Sequence, residues 1–183
     1  MPRRRDLIAL SCHPLTPTEA VDAIQVRFDL APRGSLTLDF RLWGDPRRLR
    51  IPKPQPSGHV DGLWAHTCFE AFAAVAGDAA YREFNFSPSG QWASYVFRDY
   101  RARTATATLL PPLQVTPRRT PDGVELEARI PPRALAPSGG ARLQIGLSAV
   151  VEDRDGTLSY WALRHPAGRP DFHHRHTFAV ELV

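Results

Sequence analysis

The sequence predicts an all-β protein, a β-sandwich or a barrel, and three observations carry that reading. Apolar residues recur with a period of two rather than 3.6. Clusters of Gly, Pro, Asn, Asp and Ser separate the alternating runs at short intervals. The 18 prolines are spread along the whole chain. Each removes a backbone donor and fixes φ, which rules out a long-helix or coiled-coil protein.

The elements follow in order. Segments 24–28 and 36–42 alternate cleanly, and further strands are predicted at 67–75, 80–86, 92–97, 124–130, 143–151, 158–163 and 178–182. Turn clusters fall between them at Ala31-Pro-Arg-Gly34, Gly77-Asp78, Ser87-Pro-Ser-Gly90, Pro121-Asp-Gly123 and Asp153-Arg-Asp-Gly156. Two short helices are predicted, at 16–23 behind a Thr16-Pro17 capping signal and at 132–135. The Pro-rich runs 51–58 and 110–113 read as stiff loops, because strand patterns continue on both sides. A chain of 183 residues is expected to form one domain, 1–183. At this size roughly 70% of the extended-chain surface is buried, so no disulfide or metal is needed to hold a core.

Charge and composition narrow the function classes. The net charge is +4, and of 23 basic residues only Lys53 is lysine. Small basic clusters stand at Arg3–Arg5, at Arg47, Arg48 and Arg50, and at Arg118 and Arg119, with acids mixed in throughout. A nucleic-acid binder gathers its charge on one element with aromatics interleaved, so no nucleic-acid partner is expected. Leu7 to Leu10 is too short for a signal peptide, and no run approaches a membrane span. Cys12 and Cys68 are too few for a disulfide framework. Together these features predict a cytoplasmic protein with reduced thiols and no membrane partner.

The densest chemistry lies between Asp61 and Arg103. A hairpin turning at Gly77-Asp78 pairs Phe72 with Glu83 and Glu70 with Asn85. Alternation then gives a core face with Phe69, Ala71, Ala73, Val75, Phe84 and Phe86, and an opposite face with Glu70, Phe72, Tyr81, Glu83 and Asn85. A turn centred on Pro88-Ser89 sets Trp92 beside Asn85 and Arg98 further along the same face. A one-residue bulge exchanges them for Tyr95 and Phe97. Trp64, six residues before Glu70, overhangs the same face. Carboxylates and an amide beside aromatic rings suit a polyol, since the polar groups bond vicinal hydroxyls and a ring stacks on the C–H face of a sugar. The competing reading makes Glu70, Glu83 and Asn85 solvent-side residues of an edge hairpin.

The run Leu63-Trp64-Ala-His-Thr-Cys-Phe-Glu70-Ala-Phe72, followed by Tyr81-Arg-Glu83-Phe-Asn85-Phe-Ser-Pro-Ser-Gly90-Gln-Trp92, resembles the DOMON-like superfamily. Within it the match is to a bacterial branch similar to family 9 carbohydrate-binding modules, and Trp161-Ala-Leu-Arg-His165-Pro with Pro170-Asp171-Phe172-His173 fits the same branch. The resemblance implies a two-sheet, jelly-roll-like β-sandwich with a ligand pocket at one end or face. It places the first stacking aromatic on Trp64 and the acid on Glu70. An Arg-and-Asn pair of the family falls on Glu83 and Asn85, so an acid replaces the Arg. The second stacking aromatic falls on Phe172 or Trp161. Arg98, Arg101 and His165 are candidates for the rim. The implied ligand is a small molecule: a sugar, a sugar phosphate or a nucleotide sugar.

Other chemistries find fewer matching residues in the sequence. Some DOMON relatives bind haem through Met and His, but the only Met here is Met1, so haem is not expected unless two His residues ligate it. Asp171, His173, His174 and His176 lack a clear zinc spacing, and no acidic loop has EF-hand spacing. No cofactor or metal is therefore expected. Glu70 and Glu83, on diagonal positions roughly 7 Å apart, are compatible with an inverting glycosidase. A binding role is the expectation, with that enzyme and a protein-interaction sandwich as alternatives. An interaction sandwich requires Trp64, Trp92 and Trp161 buried and the glutamates paired to Arg82, Arg98 or Arg101. A ligand site requires an open groove.

Overall fold

Alternating apolar residues become two packed sheets in the computed structural model, which describes residues 7–104, 110–135 and 142–182. The strands are β1 (Ile8–Cys12), β2 (Val21–Leu30), β3 (Leu36–Gly44), β4 (Cys68–Val75), β5 (Tyr81–Phe86), β6 (Trp92–Asp99), β7 (Ala102–Arg103), β8 (Gln114–Thr120), β9 (Gly123–Ile130), β10 (Leu143–Glu152), β11 (Leu158–Ala162) and β12 (Val180–Leu182). The first sheet runs β8-β9-β3-β2-β1 and the second β7-β6-β5-β4-β10-β11-β1, with β12 beside the start of β10. All these strand pairs are antiparallel. Strand β1 turns the corner: Ile8 to Leu10 pair with β2, while Ser11 and Cys12 pair with β11.

The core lies between the sheets. Ile24, Val26, Leu38, Phe40, Leu42 and Leu126 face Phe69, Ala71, Phe84, Phe86 and Leu147. Phe40 stacks on Phe69 at 4.9 Å between ring centroids, which joins the two layers directly. The chain thus forms the expected all-β sandwich, whose outer face on the second sheet is itself half covered.

Two helix expectations fail. Segment 16–23 forms a turn and then enters β2, because the Thr18 hydroxyl accepts from Ala20 N–H and donates to Asp153 instead of capping a helix. β-Branched Val21 and Ile24 suit the strand that follows. Segment 132–135 is a turn whose carbonyls at Ala134 and Leu135 accept from the Arg82 guanidinium. Among the described residues, 3₁₀ turns form instead at Leu63–Ala65 and Arg175–Thr177. Strands β1, β7 and β8 were not expected. β8 contains Pro117, which an edge strand tolerates because its missing N–H faces outward. The basic arm at Arg3–Arg5 lies outside the described residues. Among those described, no helix is long and apolar enough to cross a membrane.

Candidate functional site

The second sheet buries one face in the sandwich and turns the other toward a cavity. The ladder pairs Glu70 with Asn85 and Phe72 with Glu83, so the two carboxyl groups share the outer face on diagonal positions. The row through Glu70 continues to Ser148 and Ala162 on one side and Ala93 on the other. These small residues leave room above the sheet.

Two segments wall that room. Residues 58–60 run beside the start of β6 through Val60 N–H to the Trp92 carbonyl, at 2.9 Å, and lead into the 3₁₀ turn carrying Trp64. Gly62, with φ of 79°, opens that turn in the left-handed region. The Tyr95 hydroxyl fastens the segment by donating to Asp61 Oδ1 at 2.6 Å. The opposite wall is the irregular chain from Arg164 to Phe178. Phe178 packs on Phe72 at 5.5 Å, over Gly146, where a Cβ would stand 2.8 Å from the Phe178 ring. Asp171 holds this wall by accepting from Tyr100 and Arg101 at 2.7 and 2.9 Å. Arg101 sits at φ of 54° in the two-residue turn before β7, a strained backbone position at the cavity edge.

The space between these walls is about 570 Å³, within the range of small-molecule sites. Glu70 and Glu83 form its floor; Trp64, Tyr95, Phe97, Tyr160 and Phe172 supply aromatic walls; Arg101, Arg103 and Arg169 stand at its sides. Trp64 remains 55% exposed, so its ring is an open face and not core filling.

Burial governs the electrostatics of the floor. Desolvation, followed by the neighbouring Glu83 charge, pushes Glu70 well above the usual carboxylate range, against one hydrogen bond from Ser148 at 3.3 Å. Desolvation also raises Glu83 to about 7, while the Asn85 amide donating to Oε1 at 2.7 Å and the charges of Arg103 and Arg101 oppose the rise. His173, whose Nε2 lies 3.7 Å from Glu83 Oε2, is lowered to about 4, chiefly by burial. Near neutral pH Glu70 therefore favours its protonated form, Glu83 is close to half-protonated, and the neighbouring imidazole is neutral.

Several expected residues stand elsewhere. Asn85 is fully buried beneath the cavity; its amide donates to Glu83 and accepts from the Cys68 thiol, so it positions a carboxyl and does not reach the space. Trp92 pairs with Phe86 rather than Asn85 and faces the core. The cause is the loop: Ser87 N–H donates to the Gln91 carbonyl and Gly90, at φ of 91°, takes the left-handed position, so the connection is one residue longer than a simple turn. That parity puts Tyr95 and Phe97 on the cavity face and turns Arg98 away, exposed on the other face. Trp161 pairs with Ala149 and enters the core, donating to Ser159, while its neighbour Tyr160 takes the cavity side. His165 lines an adjoining cleft of about 670 Å³ and bonds the Ser11 carbonyl at 2.8 Å. Trp64, Glu70, Glu83 and Phe172 do meet at one cavity, together with Arg101. His174 and His176 open onto the adjoining cleft, and among the described residues no group of three or more His, Cys, Asp or Glu is arranged to hold a metal. Tyr160, Arg103 and Arg169 were missed; the period-two pattern of β11 marks Tyr160 only once its register on β10 is known.

No family model matches the sequence, and no curated protein matches it. Solved structures do. A candidate carbohydrate-binding protein from Bacteroides uniformis superposes with a TM-score of 0.69 at 15% identity, over 94% of this chain and 83% of its own. A family 9 carbohydrate-binding module from Caldicellulosiruptor kristjanssonii, in complex with cellotriose, superposes with a TM-score of 0.57 at 13% identity, over 89% of this chain and 74% of its own. The chain shares their fold. The all-β sandwich expected from the sequence is therefore present, with three arginines and two buried glutamates lining the cavity on its outer face.

Proposed function

We propose that the chain binds a small carbohydrate in the cavity on the outer face of the second sheet and does not convert it. The observation that carries this reading is an open cavity of about 570 Å³ with buried Glu70 and Glu83 on its floor and the half-exposed ring of Trp64 at its edge. Trp64 and Phe172 stack on the sugar's C–H faces, and the two carboxyl groups, with protons retained, both donate to and accept from its hydroxyls. Two neighbours of the same fold are described by their carbohydrate binding, one of them with cellotriose bound. An interaction sandwich with a filled face has less support, because Trp64 is exposed and Arg82 is spent on the carbonyls of Ala134 and Leu135.

A second reading extends the first. The adjoining cleft shares Arg101, Arg169 and Pro170 with the cavity and adds His165, His174 and His176. Arg169, beside an Arg101 that is paired with Asp171 in the same cleft, favours a phosphorylated or nucleotide-linked sugar, with the sugar in the cavity and the phosphate in the cleft. A cytoplasmic location, expected from the sequence, fits such a soluble metabolite better than a polymer.

Calorimetry and thermal shift with free sugars, cello-oligosaccharides, sugar phosphates and nucleotide sugars test the proposal, because a true ligand raises Tm by mass action. Trp64→Ala and Glu70→Ala should each weaken the ligand found by at least tenfold. Unchanged affinity in both variants removes the cavity assignment.

A further inference from the structure

The cavity floor carries two carboxyl groups that form no ion pair with an Arg or Lys among the described residues. Glu70 and Glu83 are 3% and 4% exposed. The groups that reach them are neutral: the Ser148 hydroxyl at 3.3 Å from Glu70, the Asn85 amide at 2.7 Å from Glu83, and His173 Nε2 at 3.7 Å. The nearby arginines are engaged elsewhere. Arg101 is paired with Asp171 at 2.9 Å, and Arg103 lies 3.5 Å from Asp61 and 4.1 Å above the Tyr95 ring. Glu70 Oε1 has no hydrogen-bond donor from the described residues although Glu70 lines the cavity.

A buried carboxylate pair without a cation is strongly disfavoured, so it either keeps protons or takes a cation from outside. A metal has weaker support, since among the described residues no group of three or more His, Cys, Asp or Glu is arranged to hold one. An ammonium group is well served. It brings three N–H donors and one charge; one ionised carboxyl supplies the opposite charge, and oxygens of both carboxyl groups accept from two sides.

We propose that the ligand carries a protonated amine, that this ammonium sits between Glu70 and Glu83, and that the cavity prefers an amino sugar to the neutral sugar of the same shape. This rests on the carbohydrate reading above. On binding, the pair gives up a retained proton to solvent as the ammonium arrives, so charge is conserved: one cation enters and one proton leaves. The other titratable groups facing the pair do not supply that charge. Tyr81 and Tyr95 are uncharged phenols and Cys68 a buried thiol, all raised by burial. His173 is held neutral, and Arg101 and Arg103 are matched by Asp171 and Asp61. Arg169 stands at the mouth, lining both cavity and cleft.

The test is calorimetry on the full chain with glucosamine, galactosamine and mannosamine, each beside its parent hexose and its N-acetyl form, at pH 6.5 in two buffers of different ionisation enthalpy. At least one hexosamine should bind tenfold or more tighter than both of its neutral counterparts, with proton release seen as a buffer-dependent heat. Glu83→Gln and Glu70→Gln replace an acid by a neutral shape mimic and should each bring that preference within about twofold. Equal affinity for amine and parent sugar, or a preference that survives both substitutions, overturns the ammonium seat and leaves the carbohydrate reading standing. If none of the nine sugars binds, the ammonium seat is overturned, and the carbohydrate reading falls with it only when the cello-oligosaccharides, sugar phosphates and nucleotide sugars also fail to bind.

Discussion

The Tyr81 hydroxyl stands 2.8 Å from Nδ1 of His173 and accepts the backbone N–H of Arg101 at 3.0 Å. Its own proton is therefore free to be donated to Nδ1. When Tyr81 donates to Nδ1, the imidazole proton lies on Nε2, the atom facing Glu83 Oε2 at 3.7 Å. A tyrosine on β5 thus bonds a histidine on an irregular loop, and the other nitrogen of that ring faces one of the acids of the cavity floor.

His173 should make the fold acid-sensitive. Its folded pKa of about 4 lies below the ordinary 6.5, mainly through burial. The unfolded chain takes the proton first, so the contribution is intact above about 6.5 and is lost as pH falls toward 4. The full span corresponds to about 3 kcal/mol. His173→Phe should flatten that limb while costing about 1 kcal/mol at neutral pH for the lost Tyr81 bond. Urea unfolding at pH 4.5, 5.5 and 7 measures both, and an unaltered acid limb in the variant excludes His173 as its source.

Glu83 has the opposite sign. Burial raises its folded pKa to about 7 from 4.5, so the unfolded chain ionises first. Its contribution is full below about 4.5 and declines as pH rises through about 7. Glu83→Gln should remove that decline, worth on the order of 3 kcal/mol, and make the variant more stable than the parent at pH 8. Thermal melts from pH 5 to 8 decide it: a parallel decline in both proteins rules the carboxyl out.

What the sequence conveyed depended on how local the deciding contacts are. The pairings Glu70 with Asn85 and Phe72 with Glu83 were legible, because a nearby turn and strict alternation fix both register and face. Trp92 was misplaced by one residue of loop length at Ser87–Gln91, and a one-residue slip inverts every face beyond it. Trp161 and Tyr160 could not be told apart, since their sides follow from the pairing of β11 with β10, which depends on the tertiary fold. The wall from Arg164 to Phe178 has no period at all. Phe172 was found there only through a family resemblance, and Arg169 was not found.

Gly146 should tolerate no side chain while Phe178 is present. A Cβ there meets the Phe178 ring at 2.8 Å, and that ring holds the loop wall onto Phe72. Gly146→Ala is expected to cost about 1–3 kcal/mol by overpacking. Phe178→Leu in the same chain should recover part of that loss, the coupling being read from a double-mutant cycle in urea. Strictly additive effects would mean that the two positions do not meet.

Tyr95 should hold Trp64 in place from a distance. Its hydroxyl donates to Asp61 at 2.6 Å and accepts Gly62 N–H at 3.3 Å, tying the 3₁₀ turn to β6, while its ring lines the cavity. That bond is also the largest cause of the lowered Asp61 pKa, so the tie is strongest above about 3.8 and weakens as acid protonates Asp61. Tyr95→Phe keeps the ring and removes only the hydroxyl. It should cost about 1–2 kcal/mol and raise amide exchange across 60–66 without changing exchange in β2, β3 or β9. Trp64→Phe in the Tyr95→Phe background should lower sugar affinity less than Trp64→Phe alone, because a loosened turn already presents the ring less often. Unchanged exchange across 60–66 would show that the turn is held by other contacts, such as the packing of His59 on Trp92 at 5.3 Å.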